Sequence, residues 1–407
     1  MPWLGLSILF VLVLILGAFI AYFFFDVGRD DGNDGPPAGQ AATGTTGEPA
    51  TVAGRTGGAL GFPVVATRNT TRISGSDPVD ISIAAAFAAY PTTGPGTPPP
   101  AVTIVDAEDW QSGVAAASLS AGPVGAPILL APSGTLSNDG ADALAQLNPL
   151  GAPETNETKV FTVGKVAPPS GYEVKRLDGA SPAAVAAAVA AEKATLTDGP
   201  PGAFVVVSSE DPQYATPAAT WAARSGDVVL FTGLDDVPKE TLDVLKDKAN
   251  KDVPIFVLGP PDAVSPKVLK KLDKAGGTVE RIGGNDPAAA SVELARFSSG
   301  LFGWNLNEPG HGYTLARADR PMDAIAATAL STGGTWPALL LTDSSEKLPQ
   351  VVLDYLLDVK PGYESDPTQA IFSHGWVIGD ESIISVDEQA VFDDALELEM
   401  VETATTG

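Results

Sequence analysis

The sequence predicts an α/β protein of three tandem units with mostly parallel sheets, preceded by an N-terminal transmembrane helix. Three observations carry that prediction. A seven-residue motif occurs three times at nearly equal spacing, apolar strand-like runs alternate with helix-like stretches in the same order after each copy, and the chain opens on an uncharged run of membrane length.

From Leu4 to Phe25 no side chain is charged. A helix of that length spans roughly 33 Å at about 1.5 Å per residue, enough for a hydrocarbon layer of about 30 Å. Trp3 and Tyr22 stand near its two ends, where amphipathic rings favour the interface. A cleaved signal peptide is the alternative, but no Lys or Arg precedes the run and no Ala-x-Ala site follows it. Residues 4–25 therefore read as a single-pass anchor in the cell membrane, with the C-terminal remainder extracellular. Residues 26–60 are Gly, Ala, Thr, Pro and Asp with few large apolar side chains, which is the composition of a flexible linker. Residues 398–407 read as a tail.

The repeats are the strongest signal. Arg72-Ile73-Ser74-Gly75-Ser76-Asp77-Pro78 returns as Arg176-Leu177-Asp178-Gly179-Ala180-Ser181-Pro182 and as Arg281-Ile282-Gly283-Gly284-Asn285-Asp286-Pro287. In each copy an apolar residue ends a strand, Gly permits a turn, and Asp77, Ser181 or Asp286 caps a helix with Pro at its first position. The strand-like runs that follow are Val102–Val105, Phe204–Val207 and Tyr313–Leu315, then Pro127–Leu130, Asp227–Leu230 and Pro337–Leu341. Further strands end at Gly164, Gly259 and Gly379, with helices at 242–248 and 351–357 among those between. Continuous apolar runs separated by helices predict parallel sheets covered on both faces. The units are placed at 61–175, 176–280 and 281–397.

Composition mostly excludes. The 24 basic residues against 50 acidic ones give a net charge of −26, which argues against nucleic acid as a partner. There is no Cys, and His311 and His374 are the two histidines, so thiolate chemistry and a multi-histidine metal site are out. Gly283-Gly284-Asn285-Asp286 has the look of an esterase block, but its partner motifs are missing and the repeat explains it as a helix cap. No nucleophile elbow or phosphate loop is present. The chain reads as a non-enzyme, with no cofactor and no metal.

Ala126-Pro127-Ile128-Leu129-Leu130, the Arg-x-x-Gly-x-Asp helix start, Val257–Ser265 and Asp323-Ala324-Ile325 together give an organisation that resembles the cell wall binding repeat 2 family of bacterial surface proteins, over roughly residues 68–397. The resemblance implies three Toprim-like α/β units in a triangular assembly. It also implies noncovalent attachment to anionic polymers of the Gram-positive cell wall, with Pro127, Ile128, Leu129, Leu130 and, in the third unit, Pro337, Leu339 and Leu340 as contact residues. Asp323 matches the family's Asp-Ala-Leu. The middle unit departs, with Asp227-Val228-Val229-Leu230 at the Pro-Ile-Leu-Leu position. By physics alone these segments are buried core strands.

Two further sets are candidate contacts. Under threefold pseudosymmetry Arg72, Arg176 and Arg281 become equivalent guanidinium groups, suited to phosphate or carboxylate; the alternative is that each pairs locally or covers apolar surface. The insertion 300–312 carries Trp304, whose face suits sugar stacking or else staples the loop to its domain. The sequence-level expectation is a membrane-anchored monomer that binds an anionic or neutral cell-wall polymer without catalysis. The alternative is a structural or protein-interaction module of the envelope with polymer binding lost.

Overall fold

A computed structural model describes residues 65–92 and 96–400. The expected anchor at 4–25 and linker at 26–60 lie outside the described residues. Among the described residues no helix is long and apolar enough to cross a membrane.

After a short hairpin of β1 (Val65–Ala66) and β2 (Thr70–Ile73), the first set of elements is α1 (Pro78–Ala89), β3 (Val102–Asp106), α2 (Trp110–Ala116), β4 (Ile128–Ala131), α3 (Asn138–Leu147), β5 (Val160–Val163) and β6 (Val174–Leu177). The second is α4 (Pro182–Leu196), β7 (Phe204–Ser208), α5 (Pro212–Ser225), β8 (Val228–Thr232), α6 (Lys239–Leu245), β9 (Ile255–Leu258), α7 (Pro266–Asp273) and β10 (Val279–Ile282). The third is α8 (Pro287–Arg296), β11 (Gly312–Arg317), α9 (Pro321–Ala326), β12 (Ala338–Thr342), α10 (Gln350–Asp358), β13 (Gly362–Tyr363), β14 (His374–Ile378), α11 (Val386–Ala395) and β15 (Glu399–Met400).

The motif folds locally as its residues dictate. Asp77 accepts from the Val79 and Asp80 amides at 2.9 and 3.1 Å, Ser181 from Ala184 at 3.2 Å and Asp286 from Ala289 at 2.8 Å. Pro78, Pro182 and Pro287 take the first helical position, where a missing N–H costs nothing.

Three parallel four-stranded arrangements share one order: β4-β3-β5-β6, β8-β7-β9-β10 and β12-β11-β14-β2, the last extended by antiparallel β1. The strand and the helix of each motif belong to different layers. β6 pairs with β5 and β10 with β9, completing the sheets of the first and second sets. The helices that follow, α4 and α8, pack on β8 and β12 of the next sheet. The third sheet has no later motif to complete it. It takes β2 from the start of the described chain, with Ile378 in register with Ile73, so the three sheets close into a cycle.

At the centre, α2, α5 and α9 pack against one another. Alanines make this possible: Ala115, Ala116, Ala219, Ala222, Ala326 and Ala327 are all buried. Gly113 is needed where α2 meets α9, because a β-carbon there would stand 2.8 Å from Ile325 Cγ2. One continuous apolar core runs from Ile73 through Phe204 and Leu230 to Leu396, crossing all three sheets. A smaller core, with Phe87, Ile104 and Leu144, lies on the outer face of the first sheet.

Candidate functional site

The three motif arginines have three different environments. Arg72 on β2 is 1% exposed. Its Nη1 donates to the carbonyls of Gly379 and Asp380 at 2.8 and 3.1 Å, while Nε and Nη2 donate to Gln389 Oε1 at 3.0 and 2.7 Å. Burial pushes its pKa down, against the pull of Glu381, Asp380 and Glu388. Arg281 on β10 does the same work half-buried, donating to the carbonyls of Gly259 and Val264. Each therefore ties the fourth parallel strand of its sheet to the turn after the neighbouring strand. Arg176 on β6 is exposed and has only Asp178 within ion-pair range, at 3.9 Å. The reason is the missing layer: the second and third sets have helices α7 and α11 before or beside this strand, whereas Gly164 to Glu173 connects β5 to β6 without one. Each arginine is held within its own sheet, so no shared three-guanidinium site forms.

The apolar candidates are inside. Ile128, Leu129 and Leu130 are buried along β4, and Leu339 and Leu340 along β12, with Pro127 and Pro337 buried just before them, so no folded-state surface remains for a polymer to touch. A structural partner explains their pattern. Ser82 on α1 accepts from Leu130 N at 3.0 Å, and Ser291 on α8 accepts from Leu341 N at 3.1 Å. The middle set has Ala186 at the corresponding helix position, and there Asp227 instead accepts from Trp221 Nε1 and the Ala203 amide, both at 2.8 Å. Trp304 is 7% exposed, edge-on to Trp221 at 5.4 Å, with the Arg224 guanidinium 5.3 Å from its centroid. It staples the insertion to the core, and its face is not open to a sugar. His374 bonds Thr71 Oγ1 at 3.0 Å and stands edge-on to Trp376, with burial lowering its pKa.

The open polar geometry lies elsewhere, at the carboxyl ends of the strands. In each sheet the first strand's connections run to opposite sides, so a crevice forms between it and the third strand, the usual ligand position in open α/β sheets. In the middle sheet this crevice is a cleft of about 410 Å³, lined by Asp211, Gln213 and Tyr214 after β7, Pro260–Ala263 after β9, and Asn285 after β10. Tyr214 is 9% exposed, and its hydroxyl has no partner among the described residues. Burial raises its pKa, and Asp286, Asp211 and Asp262 raise it further.

The same position is filled in the other two sheets. In the first, Asp109 accepts from Ser112 N at 3.0 Å and from Ser112 Oγ at 2.6 Å. In the third, Arg320 stands where the middle set has Asp211, and Asp323 where it has Tyr214. Arg320 donates to Asp323 and, at 3.0 Å, to the Ser76 carbonyl. Asp323 is thus buried in an internal ion pair; burial raises its pKa while Arg320 pulls it back. Asp211 follows β7 closely and Tyr214 lies in the first turn of α5, but their joining with Asp262 and Asn285 required the sheet order.

Neither a protein-family model nor a curated protein sequence matches the chain. Among solved structures, the fold is similar to Cwp6 from Clostridium difficile, with a TM-score of 0.64 and 16% identity over 81% of this chain and 48% of that one. It is also similar to Cwp8 from Clostridium difficile, with a TM-score of 0.60 and 17% identity over 81% of this chain and 52% of that one. The chain spans about half the length of either protein. At such identities the likeness establishes the fold.

Proposed function

We propose that this chain is a cell-surface protein whose three Toprim-like units, of the cell wall binding repeat 2 type, associate noncovalently with an envelope polymer and perform no catalysis. Residues 4–25 are its membrane anchor and 26–60 its tether. The observation that carries this reading is the likeness of the three-sheet body to two cell wall proteins over 81% of the chain.

A neutral polymer fits better than a polyanion. The net charge of −26 repels a polyanion at long range, and Arg72 and Arg281 are committed to backbone carbonyls. Burial of Pro127–Leu130 and of Leu339 and Leu340 favours a second reading, an interaction module of the envelope that has lost polymer binding. Co-sedimentation of the full chain with isolated cell walls separates the two. Polymer binding predicts sedimentation that survives removal of wall proteins and is lost when wall glycans are stripped. Sedimentation lost with the wall proteins alone points to the interaction module, and no sedimentation under any condition contradicts association with the wall.

A further inference from the structure

We propose that the cleft at the carboxyl ends of β7, β9 and β10 binds an organic cation carrying a guanidinium or ammonium group. The inference goes beyond the envelope reading and does not depend on it.

The internal repeat supplies the template. In the third sheet the equivalent crevice holds one cation, the Arg320 guanidinium, which belongs to the chain itself: it is bonded to Asp323 with Asp319 and Asp380 nearby, and Asp77 acts on Asp323. In the first sheet the position is occupied differently, with the Asp109 carboxylate accepting from both the amide and the hydroxyl of Ser112. In the middle sheet Asp286 matches Asp77, Asp262 stands where the third sheet has Ser382, Arg320 is replaced by Asp211 and Asp323 by Tyr214. No basic side chain lines the cleft. The middle cleft therefore presents carboxylates with no internal cation at the position where the third sheet holds Arg320.

Two details point to a ligand. The Tyr214 hydroxyl is held in a side chain nine-tenths buried, faces the cleft and is unpartnered. Asp211 stands at the N-cap position of α5 yet makes no side-chain cap bond, so its charge is not committed to the helix; Ser208 Oγ alone donates to it, at 2.8 Å. Among the described residues no group of three or more His, Asp or Glu side chains is gathered closely enough to hold a metal ion. Dispersed carboxylates around a phenol hydroxyl, with the amides of Gln213 and Asn285 and the rings of Pro260 and Pro261, suit a larger and softer cation, whose several N–H donors reach separate acceptors.

The test is calorimetric titration of the full-length protein with agmatine at low ionic strength, beside N-acetylglucosamine as a neutral polyhydroxyl probe and calcium chloride as a metal probe. The expected result is one agmatine site, weakened at least tenfold by Asp211→Asn with Asp262→Asn and weakened by added salt, with no competition from the sugar or calcium. Because loss of binding could follow from misfolding, the double variant Asp211→Arg with Tyr214→Asp provides the converse. It rebuilds the Arg320–Asp323 pair inside the middle cleft, and should abolish agmatine binding while keeping the melting temperature at or above that of the parent. Agmatine binding unchanged in either double variant, N-acetylglucosamine binding as tightly as agmatine, or stoichiometric displacement of agmatine by calcium would each overturn the proposal.

Discussion

Arg72 is among the largest fully buried side chains, and removing it leaves the Gly379 and Asp380 carbonyls and Gln389 without their donor. Arg72→Ala should therefore destabilise the protein by about 3 kcal/mol or more, since each buried acceptor left unpaired costs about 1–3 kcal/mol. Arg176→Ala, at the corresponding exposed position, should stay within about 0.5 kcal/mol. Urea unfolding of the two variants measures the difference, and equal effects would show that the two arginines are not differently used. Lys193 gives a pH-dependent counterpart. It is 4% exposed, donates to the Ser118 carbonyl at 3.0 Å, and burial lowers its pKa from 10.5 to about 8, with Asp227 opposing. Between pH 8 and 10 the unfolded chain holds this proton and the folded protein does not, so folding becomes more favourable as pH rises, by up to about 1.4 kcal/mol per pH unit. Stability of the parent relative to Lys193→Met, followed across that range, should rise accordingly; a flat difference would mean that Lys193 keeps its ordinary pKa in the folded protein.

At the scale of elements, the helix contacts at the centre depend on small residues. Gly113→Ala would place a methyl group 2.8 Å from Ile325 Cγ2 and 3.1 Å from Cδ1, in a site where Ile325 is fully buried. The expected cost is about 1–3 kcal/mol, the range for overpacking a closed core. Combining it with Ile325→Val should recover part of that cost, and a double-mutant cycle in thermal unfolding reads the coupling. The elements themselves were largely legible in the sequence. Turn, cap and first-turn proline are local chemistry, so Asp77, Ser181 and Asp286 marked their helices correctly, and the apolar runs at Val102, Phe204 and Ile128 are strands buried on both faces. Less legible was the partner of each strand. A Gly turn after Arg176 is the same whether β6 completes one sheet or opens the next, and only pairing with β5 decides it. Trp304 and the motif arginines were ambiguous for a related reason. Aromatic and guanidinium groups serve a ligand or a core equally well, and tertiary placement, which no local pattern encodes, decides: burial makes Trp304 and Arg72 structural, and bonds to the Gly259 and Val264 carbonyls do so for Arg281. The cleft around Tyr214 draws on three separate turns, so no single motif announced it.

For the whole molecule the decisive feature is closure. β2 completes the third sheet across a sequence separation of some 300 residues, and Arg72 locks it to the turn after β14. The described residues thereby form one compact body around a continuous core, and the three sheets should not unfold independently. Differential scanning calorimetry of the full chain and of Arg72→Ala tests this most directly. A closed cycle predicts one transition in both proteins, with calorimetric and van't Hoff enthalpies in agreement and the whole transition moved to lower temperature in the variant. Two or three resolved transitions in the parent, with Arg72→Ala lowering only one of them, would contradict it.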